Sequence, residues 1–330
     1  MPVTTTLLRA IRHRVLTTAI VAFLFLGAVG GPRAALAAEM PALQAERWVN
    51  STALSPEALR GKVVLIDIWE YTCINWIRTS PFVKAWNRDY GPLGLVVIGV
   101  HAPEFEFGKR PENIDRGIRD HALTYPVAID NQYAIWRALE NNAWPTKYLY
   151  DAQGRLVQSW VGEGSYNDIE MAIRRLLTSA NPAVALPPVT AEAMALSNAA
   201  RVSYDGITPE SYVGTLRRER GAFKLEGDWK SEREYVELRS GVGRIVLPFT
   251  AAEVNLVVQP GASGKGALKV LLDGKPMAAA RGADVGADSV ARFDRSGMVR
   301  LVAGAPARKH VLTLSANDPG LRAYVFTFGP

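Results

Sequence analysis

The chain has 330 residues, of which 48% are hydrophobic and 21% charged, with 28 glycines and 20 prolines. This composition is typical of a folded globular protein and excludes wholesale disorder, collagen and coiled coil. Much of the net charge of +6 comes from four arginines among the first 38 residues, which hold no acid. The remainder is close to neutral, so no nucleic-acid-binding surface is expected. The single cysteine, Cys73, excludes an intrachain disulfide and a thiolate cage for a metal.

Residues 1–37 have the pattern of a Sec-type signal peptide. Three arginines between positions 9 and 14 precede an uncharged apolar stretch at 19–29, and small residues at 35 and 37 offer a cleavage site. The sequence therefore predicts an exported protein of the periplasm or cell envelope. An uncleaved membrane anchor is the alternative, because residues 15–32 carry no charge over 18 residues, which is close to the length of a spanning helix.

Strand and helix patterns alternate between residues 39 and 180. Short runs rich in apolar residues predict strands at 62–69, 94–100, 126–130, 147–151 and 155–161, of which the first two are expected to be buried. Helical patterns fall between them, at 74–90, 111–122, 133–140 and 167–178, the first bent or restarted at Pro81. This alternation predicts an α/β domain, a mixed sheet with helices on both sides.

The pattern changes after residue 180. Residues 181–200 are rich in proline and alanine and predict a linker. From 201 to 330, seven or so short alternating segments are separated by turns rich in glycine and aspartate, among them 235–239 and 244–249. This spacing predicts an all-β domain, an antiparallel sandwich or jelly roll.

Cys73 is the candidate nucleophile. It follows a predicted buried strand and begins a predicted helix, where backbone N–H groups and the helix dipole lower a thiol pKa. A strand ending in Asp67-Ile-Trp69 with cysteine six residues after the aspartate resembles the thioredoxin superfamily. Trp144-Pro145-Thr146 matches the cis-proline loop that faces the thiol in that fold, and Gly162 matches the glycine bordering its substrate groove.

Local motifs make the resemblance narrower. Those at 71–75, 99–105, 125–130, 133–136 and 162–164 resemble the extracytoplasmic, TlpA-like thioredoxin region of DipZ-type proteins, which has an insertion before the cis-proline. Those at 208–212, 227–229, 272–275 and 324–328 resemble the β-rich, carbohydrate-binding-module-like domain of the same proteins. The resemblance covers nearly the whole chain after residue 37 but not the family's membrane reductase segment. It implies a freestanding exported version.

One departure from the family concerns mechanism. The family pattern is C-x-x-C, and this chain has Trp76 at the second position. In a dithiol enzyme the first thiolate attacks a disulfide and the second thiol resolves the mixed disulfide. Cys73 alone would need an external thiol for release, or would be oxidised to a sulfenic acid, or would bridge to a partner. The family's proton-shuttling acid maps to Asp67, whose usual task with the resolving thiol no longer exists.

Each candidate also has a structural interpretation. Cys73 would be either a catalytic monothiol or an unreactive thiol that only packs against its neighbours. Trp76, one helical turn further, is a lid on the thiol or an aromatic contact for substrate. Asp67 is a shuttle or a buried structural acid. Pro145 fixes a tight turn and leaves the neighbouring backbone free to pair with an extended peptide.

His101 and Glu104 follow the second parallel strand, at the sheet edge expected to carry Cys73, where ligands gather. They are candidates for proton transfer or substrate contact. Alternatively, they are structural loop residues whose hydrogen bonds are made within the protein. The four histidines are dispersed, so no metal site is predicted, and no cofactor is implied. Exposed aromatics such as Tyr212 and Trp229 would serve a glycan or the core equally well.

The sequence thus favours an exported, thioredoxin-like protein of the thiol-disulfide oxidoreductase type, acting through Cys73. Its expected partners are protein or small-molecule thiols and disulfides, a membrane thiol reductase, and a glycan at the β-rich domain. The competing hypothesis is a catalytically degenerate thioredoxin scaffold that binds peptide or carbohydrate in the envelope.

Overall fold

The computed structural model describes residues 38–190, 205–217, 222–306 and 308–330. The predicted signal peptide lies outside the described residues, as do positions 191–200 of the predicted linker. Residues Ala37–Pro330 form one compact unit. Within the described ranges, no helix combines the length and the apolar character needed to pass through a bilayer.

The N-terminal half contains a six-stranded mixed sheet. Its strands are β1 (Arg47–Val49), β2 (Val63–Trp69), β3 (Leu95–His101), β4 (Val127–Ile129), β5 (Thr146–Tyr150) and β6 (Leu156–Val161). The helices are α1 (Ile74–Tyr90), α2 (Pro111–Asp120), α3 (Ala134–Ala138) and α4 (Tyr166–Ala180), with short 3-10 helices at Gly91–Leu93 and Glu106–Lys109. The strand order is β1-β4-β3-β2-β5-β6, in which β2, β3 and β4 are parallel to one another. The predicted α/β architecture is confirmed.

Both faces of this sheet are covered. Successive strand residues point to opposite faces, and Leu65 of β2 packs with core residues of α1, α2 and α4. Its neighbour Ile66 packs on the other face with α3 and with Met40 of the N-terminal segment. Double burial explains why β2 and β3 are almost continuously apolar.

Helix α1 differs from the prediction at Pro81. It runs unbroken from Ile74 to Tyr90 with the proline inside it. Proline removes one backbone donor from a helix and crowds the preceding turn. The core contacts of Phe82, Val83 and Trp86, immediately after the proline, hold the helix on the sheet despite that loss.

The C-terminal half is an antiparallel all-β structure, as predicted. Its strands are β7 (Ser211–Tyr212), β8 (Lys224–Ser231), β9 (Val236–Thr250), β10 (Glu253–Gln259), β11 (Gly266–Leu272), β12 (Lys275–Pro276), β13 (Val290–Phe293), β14 (Gly297–Val302), β15 (Lys309–Ala316) and β16 (Arg322–Gly329). The main path is β12-β11-β15-β9-β16-β10-β14, and β7, β8 and β13 pair alongside it. All ten strands share one hydrogen-bonded sheet, and most of its buried residues form one apolar cluster.

Candidate functional site

Cys73 and the loop before β5 lie together at the sheet edge where β2 ends. Cys73 immediately precedes α1, and its thiol lies with Sγ 3.8 Å from the carbonyl oxygen of Trp144, to which it donates. The Trp144–Pro145 peptide bond is cis, and the carbonyl of Pro145 accepts a hydrogen bond from the N–H of Gly162 at 2.7 Å. Four residues that the sequence singled out therefore meet at one place.

Trp76 does not face this groove. Its side chain is fully buried, and its ring centroid lies 4.6 Å from that of Trp69. Its indole N–H donates to Oδ2 of Asp67 at 2.9 Å. Of the two roles considered for Trp76, a contact with substrate is not supported by this buried position, because the ring packs in the core against Trp69.

Asp67 is completely buried beside that ring. Burial raises the pKa of its carboxyl to about 6, against the opposing effects of the Lys147 charge and the Trp76 hydrogen bond. Lys147 is the direct cross-strand partner of Asp67 in the β2–β5 register, and it is also fully buried. Its ammonium donates to the carbonyl of Gly162 at 3.0 Å, and burial lowers its pKa.

The sequence analysis missed Lys147, although a signal existed. Asp67 and Lys147 are the only charged residues in the seven-residue β2 and the five-residue β5. Isolated opposite charges in two buried strands predict mutual compensation. What the sequence lacked was the pairing of the two strands.

Thr146 supports the loop from below. Its side chain is buried, and its hydroxyl donates to the carbonyl of Ala143 at 3.0 Å. The Thr146 side chain thus makes a contact within the loop that carries Pro145, and a contact between Thr146 and a substrate stays a prediction.

His101 is sealed from the groove. Its side chain is fully buried, with its ring 5.0 Å from that of Trp69 and stacked 5.9 Å from that of Tyr71. Neither ring nitrogen has a hydrogen-bond partner among the residues that the structure describes. Burial lowers the pKa of His101 to about 3. A role of His101 in proton transfer or substrate contact is therefore not supported by its position, because it is a neutral core residue at neutral pH.

Glu104 binds the β-rich region instead of an open groove. Its carboxylate accepts a hydrogen bond from the hydroxyl of Tyr212 and another from Arg217 at 2.9 Å. The Arg217 guanidinium lies 5.0 Å from the ring centroid of Tyr212 and 5.7 Å from that of Trp144. Burial raises the pKa of Glu104, and the Tyr212 and Arg217 donors oppose that rise. Tyr212 is thereby occupied and offers no free platform for a sugar.

Glu70 is a second residue that the sequence analysis missed. It is fully buried, and its Oε2 accepts hydrogen bonds from the Thr72 N–H at 2.7 Å and from the Thr72 hydroxyl. Its carbonyl accepts from the N–H of Cys73 at 3.2 Å. Burial raises the pKa of the Glu70 carboxyl to about 8, so the acid is mostly protonated at neutral pH. An acid at the end of an apolar strand next to the cysteine was the available signal.

These surroundings reverse the expected reactivity of Cys73. Burial raises its thiol pKa well above the usual value, and the carboxylate of Glu104 adds to the rise. The backbone N–H of Trp76, in the first turn of α1, acts in the opposite direction but is outweighed. The helix terminus therefore contributes as predicted, yet desolvation exceeds it.

No group of three or more His, Cys, Asp or Glu side chains in the described ranges is arranged to hold a metal ion. The chemistry that the site supports rests on the thiol and on the acids and lysine around it.

Comparisons with known proteins show which proteins the chain resembles. A family described as thioredoxin like C-terminal domain matches residues 193–329. The chain is 36% identical over 255 residues to the DipZ proteins of Mycobacterium bovis and Mycobacterium tuberculosis, covering 69% of this chain and 35% of each relative. The chain is therefore similar to the DipZ proteins over 69% of its own length, which includes its thioredoxin-like region. It spans about a third of the length of those DipZ proteins.

Smaller relatives match the thioredoxin-like part. The thiol-disulfide oxidoreductase YkuV of Bacillus subtilis is 28% identical over 139 residues, which cover 42% of this chain and 93% of YkuV. A solved structure of a thiol-disulfide isomerase from Corynebacterium glutamicum covers 42% of this chain and 96% of its own, with 25% identity and a TM-score of 0.40. The relatives that the chain resembles in sequence thus include a thiol-disulfide oxidoreductase as well as the DipZ proteins.

Proposed function

We propose that this chain is an exported protein of the thiol-disulfide oxidoreductase type that works as a monothiol through Cys73. The observation that carries the proposal is the contrast between Cys73 and Trp76. Cys73 lies against the cis-proline loop, whereas the residue three positions on is a buried indole bound to Asp67. Because Cys73 is the only cysteine, a mixed disulfide formed there has no internal thiol to resolve it.

The reaction is a two-step thiol–disulfide exchange. The Cys73 thiolate attacks one sulfur of a substrate disulfide, a new S–S bond forms, and the other sulfur leaves as a thiolate that takes up a proton. A second thiol, supplied by a protein or a small molecule, then attacks the mixed disulfide. It leaves bonded to the substrate sulfur and returns Cys73 as a thiol. The net change is the exchange of one thiol partner, and a further equivalent of thiol completes reduction.

The partial burial of Cys73 favours small or extended substrates. The thiol is partly buried, and its neighbour Trp144 is partly exposed beside the cis bond. A flexible segment or a small disulfide reaches such a thiol more readily than a folded surface does. A membrane thiol reductase is the external reductant we propose for an exported protein without a second cysteine.

The signal-peptide pattern supports export, with a mature chain that begins near Ala38. We further propose a thioredoxin-like domain at 39–180, a linker at 181–200 and an all-β domain at 201–330. Intact-mass analysis of native material tests the first point, since a mass that includes residues 1–37 would indicate an anchor. We propose no glycan ligand: Tyr212 binds Glu104, and the Trp229 indole N–H donates to the carbonyl of Glu226 while its ring packs on the β-rich core.

The direct experiment is incubation with 2-hydroxyethyl disulfide at mildly alkaline pH, followed by intact-mass analysis. We expect one hydroxyethylthio adduct that persists after removal of excess reagent and that added 2-mercaptoethanol reverses. Cys73→Ser should acquire no adduct. A folded wild-type protein that forms no adduct would favour the competing hypothesis, a degenerate scaffold that binds peptide at the Trp144–Pro145 loop.

A further inference from the structure

A continuous set of contacts links the β-rich region to the thiol. Tyr212 at the end of β7 and Arg217 just beyond it both donate to Glu104, in the segment after β3. Arg217 also lies over the ring of Trp144, and the carbonyl of Trp144 accepts the hydrogen bond from Cys73. The β-rich region therefore contacts the loop that accepts the hydrogen bond from the thiol.

Glu104 is linked to the loop that contacts the thiol through Arg217, which donates to its carboxylate and lies over the ring of Trp144. A buried carboxylate near a thiol disfavours the thiolate, and donors to that carboxylate favour its ionised form. The side chain of Glu104 is only 7% exposed, so solvent screens its charge weakly. Other charged or titratable groups also face Cys73: Glu70 before α1, Lys147 on β5 and Glu210 before β7.

We propose that Tyr212 and Arg217 are positioning residues of the thiol site, which hold the Glu104 carboxylate ionised beside Cys73 and so restrain the thiol. The β-rich region thereby sets the reactivity of a cysteine that lies in the other half of the chain. The inference rests on the proposed use of Cys73 as a nucleophile. It adds residues and a direction of control that the monothiol reaction does not require.

The test is the rate of Cys73 alkylation by iodoacetamide, an uncharged reagent, as a function of pH. Glu104→Gln keeps the size of the side chain and an oxygen acceptor but removes the charge. We expect the variant and the wild type to react equally at acid pH, where Glu104 is protonated. As Glu104 ionises, the variant should become about threefold to tenfold faster, equivalent to a thiol pKa lower by about 0.5 to 1 unit. Glu106→Gln is the matched control, because Glu106 lies on the same loop, is exposed and pairs with Lys109.

The pH at which the two curves separate reports the ionisation of Glu104. Tyr212→Phe removes a hydroxyl donor and Arg217→Gln removes the guanidinium charge, so each should move that separation to higher pH. Neither should alter the rate in a Glu104→Gln background. A purely structural role for Tyr212 would lower stability without moving the separation, and would overturn its assignment. A rate change by Arg217→Gln in the Glu104→Gln background would show direct action on the thiol and would overturn the assignment of Arg217.

Superimposed profiles of wild type and Glu104→Gln would overturn the whole inference. The outcome is separable from that of the proposed function, because alkylation needs a thiol but no disulfide exchange. Normal mixed-disulfide formation with superimposed profiles would remove the inference and leave the function. Separated profiles without any mixed disulfide would support the role of Glu104 and contradict the proposed monothiol exchange.

Discussion

The indole N–H of Trp76 donates to the carboxylate of Asp67 at 2.9 Å, in the core directly beneath Cys73. The second oxygen of Asp67 has no hydrogen-bond partner among the described residues, so the indole is the main hydrogen-bonding support of this buried acid. Trp76 thus stabilises Asp67 with a hydrogen bond that a resolving cysteine at position 76 would not supply.

Trp76→Phe should therefore weaken the protein in a pH-dependent way. Phenylalanine keeps most of the buried ring but removes the donor, so the pKa of Asp67 should rise further above about 6. We expect a loss of about 1–3 kcal/mol in the free energy of unfolding at neutral pH, where Asp67 is ionised. The loss should be smaller at acid pH, where the protonated carboxyl needs the donor less. Urea unfolding at both pH values measures the difference, and an equal loss at both would contradict the role given to this bond.

Because His101 is buried in its neutral form, we expect the wild-type protein to lose stability at acid pH. Its pKa is about 3 in the folded chain against an ordinary value of 6.5, so the unfolded chain binds the proton first. Stability should therefore be lost as the pH falls below about 6.5, by about 2 kcal/mol on reaching pH 5. His101→Phe should remove that contribution. Urea unfolding across this range tests it, with His121→Phe as a control in which the half-exposed histidine should contribute less. A slope unchanged in His101→Phe would count against burial of the neutral form.

Cys73 should be slow to react in the folded protein. Because burial raises its thiol pKa, we expect iodoacetamide to alkylate it at neutral pH at least about tenfold more slowly than in the urea-unfolded chain. The thiolate is the reactive form, so the ratio should shrink as the pH rises. Quenched samples analysed by intact mass give both rates. A folded protein that reacts as fast as the unfolded one would mean that the helix terminus outweighs burial.

Trp76→Cys restores the C-x-x-C spacing at a cost in stability. Replacing a buried tryptophan by a small residue typically costs about 3–5 kcal/mol, and Asp67 also loses its donor. Provided that the variant remains folded by circular dichroism, the new thiol should resolve the mixed disulfide and make exchange less dependent on added monothiol. Trp76→Ser creates a similar cavity without a thiol and should show no such gain. Equal behaviour of the two variants would indicate that the position lies too deep to resolve anything.

Most of the fold could be predicted from local patterns. Strands buried on both faces have short, continuous apolar runs, whereas helices have apolar residues at every third or fourth position. The main error in the β-rich half concerns β9, predicted as two strands around the glycines at 241 and 243. Gly241 has a positive φ of 63°, and the register with β8 shifts nearby, so the chain bulges without turning. A Cβ at Gly243 would lie 2.6 Å from the ring of Trp229, so this glycine allows close packing.

The site was only partly predictable, because some of its features depend on contacts between distant parts of the chain. Cys73 and Pro145 lie in short motifs that can be recognised from the sequence. The Tyr212 contact with Glu104 joins residues 108 positions apart, and no local pattern encodes it. The burial that determines the pKa of Cys73 likewise arises from tertiary packing, while the helix terminus that opposes it was visible in the sequence.

The strand β16 has a consequence for how the molecule comes apart. Tyr324 and Val325 belong to the same apolar cluster as the core of the six-stranded sheet, and the Tyr324 ring lies 4.9 Å from those of Phe105 and Phe107. Separating the two halves would therefore strip aromatic surface from both of them. Heating should give a single melting transition, and a fragment cut near residue 190 should be prone to aggregation even if its sheet forms.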